Sequence, residues 1–253
     1  MSSKVNELCT ALEKELKPLI KKASLMKFIE CEIPEDSHFK SHIGGQPYFE
    51  KGVEWPTTSD GTEIQFFLQI FNGDGIMLPE DVSLIQFFYN NDGMCVSSED
   101  EGWFVKIYKT LNKDDFVFVE KLGEDAIIDY CQIDFEVETM PSLPTLEQLE
   151  EDSPEEVQEI LEKVEDLGMD IDDFFDKHFL PFVFSKLDFT GHSKVGGYAD
   201  WVDTDYGRAY DKYELLFQIS DNNEYIRSAN VWHGLLYLLR NTETGDLFFE
   251  MAH

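Results

Sequence analysis

The stretch that decides the fold is SHIGGQPYFEKGVEWP, Ser41 to Pro56, because the chain writes it again as SKVGGYADWV, Ser193 to Val202. Gly44-Gly45 and Gly196-Gly197 lie 152 positions apart (196 − 44). Two further landmarks follow in the same order. Gln69 in FLQI and Gln218 in LFQI are 149 apart (218 − 69), and SLIQFFYN aligns with HGLLYLLRN at nearly the same offset. Three ordered landmarks at one spacing predict an internal duplication, two related β-rich halves in one chain.

A Gly-Gly after a short apolar strand permits a tight turn or a close backbone approach. Tyr48, Phe49 and Trp55 behind the first pair, and Tyr198 and Trp201 behind the second, would cover that turn. Gln69 and Gln218 stand inside apolar strands, where a buried amide must find partners. The neighbouring glycine backbone is the natural one. Gly44, Gly45, Gln69, Trp55, Gly196, Gly197, Gln218 and Trp201 are therefore the candidate binding landmarks, and a clamped turn is the reading preferred over a ligand site.

Around the landmarks the coarse organisation is legible. Val5, Leu8, Leu12, Leu16 and Leu19 recur at helical spacing, so residues 1–27 read as an N-terminal helical segment, kinked or restarted at Pro18. Residues 28–144 read as the first β-rich repeat, with strands in IQFFLQIF, LIQFFYN, WFVKIY, FVFVE and CQIDFEVE and a hairpin at NNDG (90–93). Residues 145–180 read as an acidic helical insert. Its helix starts with Ser153 as N-cap, Pro154 at the first helical position and Glu156 closing a capping box, and Gly168 ends it. Val157, Ile160, Leu161, Val164 and Leu167 form its apolar stripe, and a second short helix follows in MDIDDFFDKHF. Residues 181–253 read as the second β-rich repeat. The fold class expected is mainly β (α+β): duplicated, β-roll-like subdomains with N-terminal helices and an acidic helical insert between the halves.

The same residues resemble the YwqG family, a domain of unknown function of bacteria and some eukaryotes. The family's first half is similar to Ser41–Pro47, Trp55-Pro56, Leu68-Gln69-Ile70 and Leu84–Phe88. Its second half is similar to Lys194–Tyr198, Leu215–Ile219, Asp221 and Trp232. Ala199 stands where that pattern has Pro, and VWHGLLY where it has a Trp-Gly-Asp type turn. The resemblance spans Ser41 to Phe249. It implies a mainly β, roll-like fold with internal pseudo-symmetry and carries no activity with it.

Composition narrows the function classes. The formal net charge is −32, from 52 acidic and 20 basic residues. Phosphate backbones need clustered Lys and Arg, so nucleic acid is not an expected partner, whereas a basic protein is. No apolar run is long enough for a membrane helix, and the charged first residues lack the apolar core of a secretory signal, so a cytoplasmic location is expected. Cys9, Cys31, Cys95 and Cys131 are scattered without a CxxC pair, which disfavours a disulfide framework or a zinc site.

No metal, cofactor or catalytic residue is expected. Asp203, Asp205, Asp211 and Glu214 fall near calcium-loop positions, but Arg208 occupies the turn glycine's place and a strand follows, so a solvated loop is the better reading. His38 and His42 have helical ligand spacing but run into Gly44-Gly45. The repeat would bring His42, His192 and His233 towards one cleft, although hydrogen-bonding histidines are commoner. His178 and His253 complete the set. The arginines, Arg208, Arg227 and Arg240, are all in the second half, and a cluster of them in a cleft would favour an anionic ligand. The expected function is a non-enzymatic binding protein. The alternative is a small-ligand or hydrolase-like site in the groove between the halves.

Overall fold

A computed structural model describes residues 3–73, 75–90, 97, 100–119, 129–136, 139–146, 148–149, 153–183, 191–201, 212–222 and 234–252. The chain is mainly β. Its strands are β1 (Lys21–Glu30), β2 (His42–Ile43), β3 (Phe66–Phe71), β4 (Leu84–Tyr89), β5 (Trp103–Tyr108), β6 (Cys131–Phe135), β7 (Met140–Ser142), β8 (Lys194–Gly196), β9 (Tyr213–Ser220), β10 (Leu235–Asn241) and β11 (Leu247–Ala252). They form one antiparallel sheet in the order β11-β10-β9-β8-β1-β6-β2-β3-β4-β5, with β7 beside the start of β1. The sheet curls into a half-barrel. Phe249 of β11 meets Trp103 of β5 at 5.6 Å and Phe87 of β4 at 5.3 Å, so the two ends of the sheet share one apolar core.

The two halves are interlocked. β1 pairs with β8 of the second half, and β6 pairs with β2 of the first. Between them β1 and β6 pair about Lys27↔Asp134, with Met26↔Phe135 on one side and Phe28↔Ile133 on the other. Each makes a matching bond outward: Met26 N–H donates to Ser193 O at 3.0 Å, and Ile133 N–H donates to Ser41 O at 2.9 Å. Beyond this centre the arms are built alike. The β3/β4 register slips between Phe66 and Leu68, and the β9/β10 register slips between Leu215 and Phe217, the same place in each arm. Such bulges re-aim side chains and increase local twist.

α1 (Ser3–Leu16) and α2 (Glu155–Asp166) pack against each other at one side. Val5, Cys9, Leu12 and Leu16 meet Val157, Ile160, Leu161 and Val164, together with Phe174, Phe175 and Phe179 from the next helical stretch. That stretch runs through α3 (Ile171–Phe174), a π turn (Phe175–Phe179) and α4 (Leu180–Val183). Asp170 caps α3 by accepting from Asp173 N–H at 3.1 Å.

Several boundaries differ from the sequence reading. The N-terminal helical segment does not reach residue 27. α1 ends at Leu16, a 3-10 turn carries Pro18, and β1 begins at Lys21. Pro18 lacks the amide hydrogen that would continue the helix. The N-cap of α2 is Pro154, not Ser153, whose buried hydroxyl has no partner. The other end forms as the glycine requires: Gly168, φ 73°, gives its N–H to Glu165 O and Met169 N–H reaches back to Val164 O. Leu167 is 40% exposed and leaves the apolar stripe. The described residues of FVFVE form none of these strands: Phe116 makes an isolated bridge with Glu50, and Val117 N–H donates to Phe49 O at 2.9 Å. Residues 91–93 of the expected hairpin lie outside the described residues.

Candidate functional site

The glycine turns are clamps that share a set of equivalent hydrogen bonds. In the first, Gly44 and Gly45 have φ of 62° and 65°. Gln69 on β3 accepts from Tyr48 N–H through Oε1 at 2.9 Å. Its Nε2 donates to Lys40 O at 2.9 Å and His38 O at 3.2 Å. Ser41 Oγ accepts from Phe71 N–H at 2.9 Å. Gln86 Nε2, from β4, donates to Tyr48 O at 2.6 Å. A Cβ on Gly45 would come within 2.7 Å of the Tyr130 ring, so only glycine fits.

In the second, Gly196 and Gly197 have φ of 71° and 76°. Gln218 Oε1 accepts from Asp200 N–H at 2.8 Å, and Gln218 Nε2 donates to His192 O at 2.8 Å. Ser193 Oγ accepts from Ser220 N–H at 2.9 Å. Tyr237 on β10 donates from its hydroxyl to Asp200 O at 2.6 Å, the bond Gln86 makes in the first clamp. A Cβ on Gly196 would sit 2.6 Å from Met77 O. Six of the eight expected landmarks are thus assembled as two clamps. The tryptophans do not correspond: Trp201 occupies the position of Phe49, while Trp55 stacks on Phe49 at 5.4 Å and donates from Nε1 to Ile64 O.

The clamps differ in charge. His42 is fully buried and its Nδ1–H donates to Gly44 O at 2.7 Å. Burial holds its imidazole down at about 4. The second clamp has Lys194 in that position, also buried, with Nζ 2.5 Å from Asp200 Oδ1. Burial lowers the Lys194 ammonium, and the Asp200 charge opposes this. Asp200 Oδ2 also accepts from Gly191 N–H at 3.1 Å and Gln218 Nε2 at 2.8 Å. Lys194, Asp200, Gln86 and Tyr237 were missed as members of the clamps. Aligning the halves on their glycines places Lys194 on His42 and Asp200 on Tyr48, which is the signal that finds them.

Beside the second clamp lies a cavity of about 650 Å³. Its walls are the joint Met140–Leu146, Asp172, Phe175, Asp176 and Leu180 from the helices, and Ala199, Asp200, Trp201, Ser220, Asp221 and Leu235 from the second half. A smaller cavity of about 340 Å³ adjoins it, and Gly191, Ser220 and Asn222 line both.

Among the described residues, His38, His42 and His192 have separate surroundings. His38 stacks on Phe116 at 4.1 Å, His42 is sealed in the first clamp, and His192 holds the second through its carbonyl. His233 and His253 lie outside the described residues, as do Asp203, Asp205, Asp211, Arg208, Arg227 and Cys95. Glu214 is in β9 and pairs with Arg240, which also grips Asp81 with two bonds of 3.0 Å. Arg240 therefore ties the second half to the turn before β4. Cys131 is buried and its thiol is pushed up to about 12 by that burial. Among the described residues, no group of three or more His, Cys, Asp or Glu could hold a metal ion, and no helix is long and apolar enough to cross a membrane.

No curated protein is significantly similar to the chain. A family model does match, over residues 41–235, from the first clamp to the start of β10. That span is well over half of the 253 residues, and the chain belongs to the family of the domain of unknown function DUF1963.

Proposed function

We propose that this is a YwqG-like, cytoplasmic, non-enzymatic binding protein whose partner is a basic protein. The observation that carries the reading is the outer face of the helical layer. Glu155, Glu156, Glu159, Glu162, Glu165 and Asp166 are all exposed on α2, and Asp172, Asp173 and Asp176 continue the face. The lysines on these helices add little positive charge to it, since Lys163 pairs with Glu159 at 3.6 Å and Lys177 with Asp173 at 2.5 Å. A surface of one sign speeds encounter with a partner of the other and selects against like-charged ones. The clamps favour a binder over an enzyme. The described hydrogen bonds of Gln69, Gln218, Ser41 and Ser193 run to backbone or within the clamps, which gives these groups a structural role and supports a binder.

We infer also that the halves descend from one duplicated unit. Support comes from the matched glycine conformations, the matched serine and glutamine bonds and the bulge at one place in each arm. The alternative of a small-ligand site draws support from the two adjoining cavities, the larger lined by the helices, the Met140–Leu146 joint and the second half, the smaller by Phe28 and Glu136 on one side and His192 and Ser193 on the other.

The test is the Glu155→Lys/Glu159→Lys/Glu162→Lys variant against a fluorescent arginine-rich peptide. Association with the native protein should slow as salt rises and the Debye length shrinks to about 8 Å. The variant should bind the peptide more weakly at an unchanged melting temperature. Equal binding by the two removes the acidic face from the account.

A further inference from the structure

In the first arm, aromatic rings gather beside the clamp. Tyr48 packs against Phe39 at 5.7 Å, Phe71 at 6.2 Å and Tyr108 at 5.4 Å. The clamp hydrogen bonds fix the equivalent positions in the second arm. Gln69 Nε2 bonds to the carbonyls on either side of Phe39, and Gln218 Nε2 bonds to the carbonyl next to Gly191. Tyr48 N–H and Asp200 N–H each donate to the clamp glutamine. Phe71 N–H and Ser220 N–H each donate to the clamp serine. Tyr108 lies across from Leu84, two residues before Gln86, and Ala252 lies across from Leu235, two residues before Tyr237. Four rings of the first arm are thus a glycine, an aspartate, a serine and an alanine in the second. Protein interiors fill such space closely. Here Gly191, Asp200 and Ser220 border a cavity of about 650 Å³.

We propose that this cavity binds a small aromatic molecule without negative charge, whose ring takes the place that the Tyr48 ring holds in the first arm. The inference deepens the small-ligand alternative and is independent of the basic-partner reading. One wall is apolar: Leu143, Leu146, Phe175 and Leu180 line the cavity and pack against the core of the helical layer behind them. Buried Ala199 and Leu235 line it from the second half. An aromatic ring gains from such walls through buried area and from Phe175 through ring contact. Phe175 also opens the π turn, and turns of that kind recur at functional sites. Polar groups on the clamp side are already bonded. Asp200 is held by Lys194, Gly191 N–H and Gln218, and Ser220 Oγ accepts from Asn222 N–H at 3.1 Å. A ring can cover them without stranding a donor or acceptor. Asp176 lines the cavity and is exposed, and its carboxylate opposes an anion. The volume is in the range of small-molecule sites, roughly 300–1,000 Å³.

The experiment titrates the full chain with 5-fluoroindole and follows the fluorine NMR signal. We expect saturable binding with a Kd below about 1 mM. Ser220→Phe returns one ring of the first arm to the cavity and should weaken binding at least about tenfold. Thermal melting checks the fold. Should Ser220→Phe unfold the chain, Leu146→Trp fills the cavity from the opposite wall, with the same tenfold loss expected. Displacement of the probe tests the class of ligand. Phenol should displace it, and cyclohexanol and benzoate should each need at least about fivefold higher concentration. The helix-face variant, Glu155→Lys/Glu159→Lys/Glu162→Lys, should bind 5-fluoroindole as the native protein does, whatever it does to the arginine-rich peptide. Absence of saturable binding, or equal binding by the native protein and a folded cavity-filled variant, overturns the site. Displacement by cyclohexanol or benzoate as strong as by phenol overturns the ligand class.

Discussion

Lys194 and Asp200 form a buried ion pair at the two positions where the first half has His42 and Tyr48. One clamp is held by neutral groups and the other by opposite charges, on the same backbone frame. Removing one member of such a pair leaves the other charge stranded. Lys194→Met should therefore destabilise the chain by about 3 kcal/mol, and Lys194→Met/Asp200→Asn should recover part of that loss. Urea titration of the single and double variants checks the order. A double variant no more stable than Lys194→Met contradicts it.

His42 makes stability depend on mildly acid pH. Its imidazole titrates at about 4 in the folded chain, against 6.5 ordinarily. Between those values the unfolded chain binds the proton and the folded chain does not, so stability is lost as pH falls through this window. The full loss is roughly 3 kcal/mol. His42→Asn keeps a donor towards Gly44 O and should flatten this part of the curve. Denaturation of both proteins at several pH values isolates the histidine from the carboxylates, which the two share.

Gly196 and Gly61 both have positive φ but different surroundings. Gly61→Ala meets open space and should cost about 1 kcal/mol, the penalty of the left-handed backbone alone. Gly196→Ala adds a Cβ 2.6 Å from the Met77 carbonyl oxygen and should cost more than about 3 kcal/mol. Equal melting temperatures for the two variants would contradict the close approach.

Arg240→Ala should cost about 1 kcal/mol at low salt and less at high salt, because Asp81 and Glu214 are partly exposed. The readout is the midpoint of thermal melting at each salt concentration.

The clamps were legible because a glutamine inside an apolar strand announces a partner, and a glycine pair announces a backbone that other residues cannot follow. The apolar face of α2 was legible from its period alone. Other features hid behind local signals. Lys21–Glu30 carries charges at both ends, and its strand is set by partners more than a hundred residues away, Cys131–Phe135 and Lys194–Gly196. Pro154 took the cap position from Ser153, a choice decided by one backbone angle. Phe116 and Val117 have strand-like residues but serve the aromatic packing under β5. The cavity could not be read at all without the correspondence of the arms, since Gly191 and Ser220 are unremarkable residues until set against Phe39 and Phe71.

Because β1 lies between β6 and β8, neither arm is complete from its own residues. The first strand of the chain waits for a segment more than 160 residues later, so contacts of very long loop are built into the centre of the sheet. Chains of this kind fold slowly for their size. Until β8 emerges from synthesis, one edge of β1 has unpaired amides and carbonyls, the condition that invites pairing with another chain. A fragment ending before residue 194 should therefore self-associate through the open edge of β1, two copies pairing edge to edge.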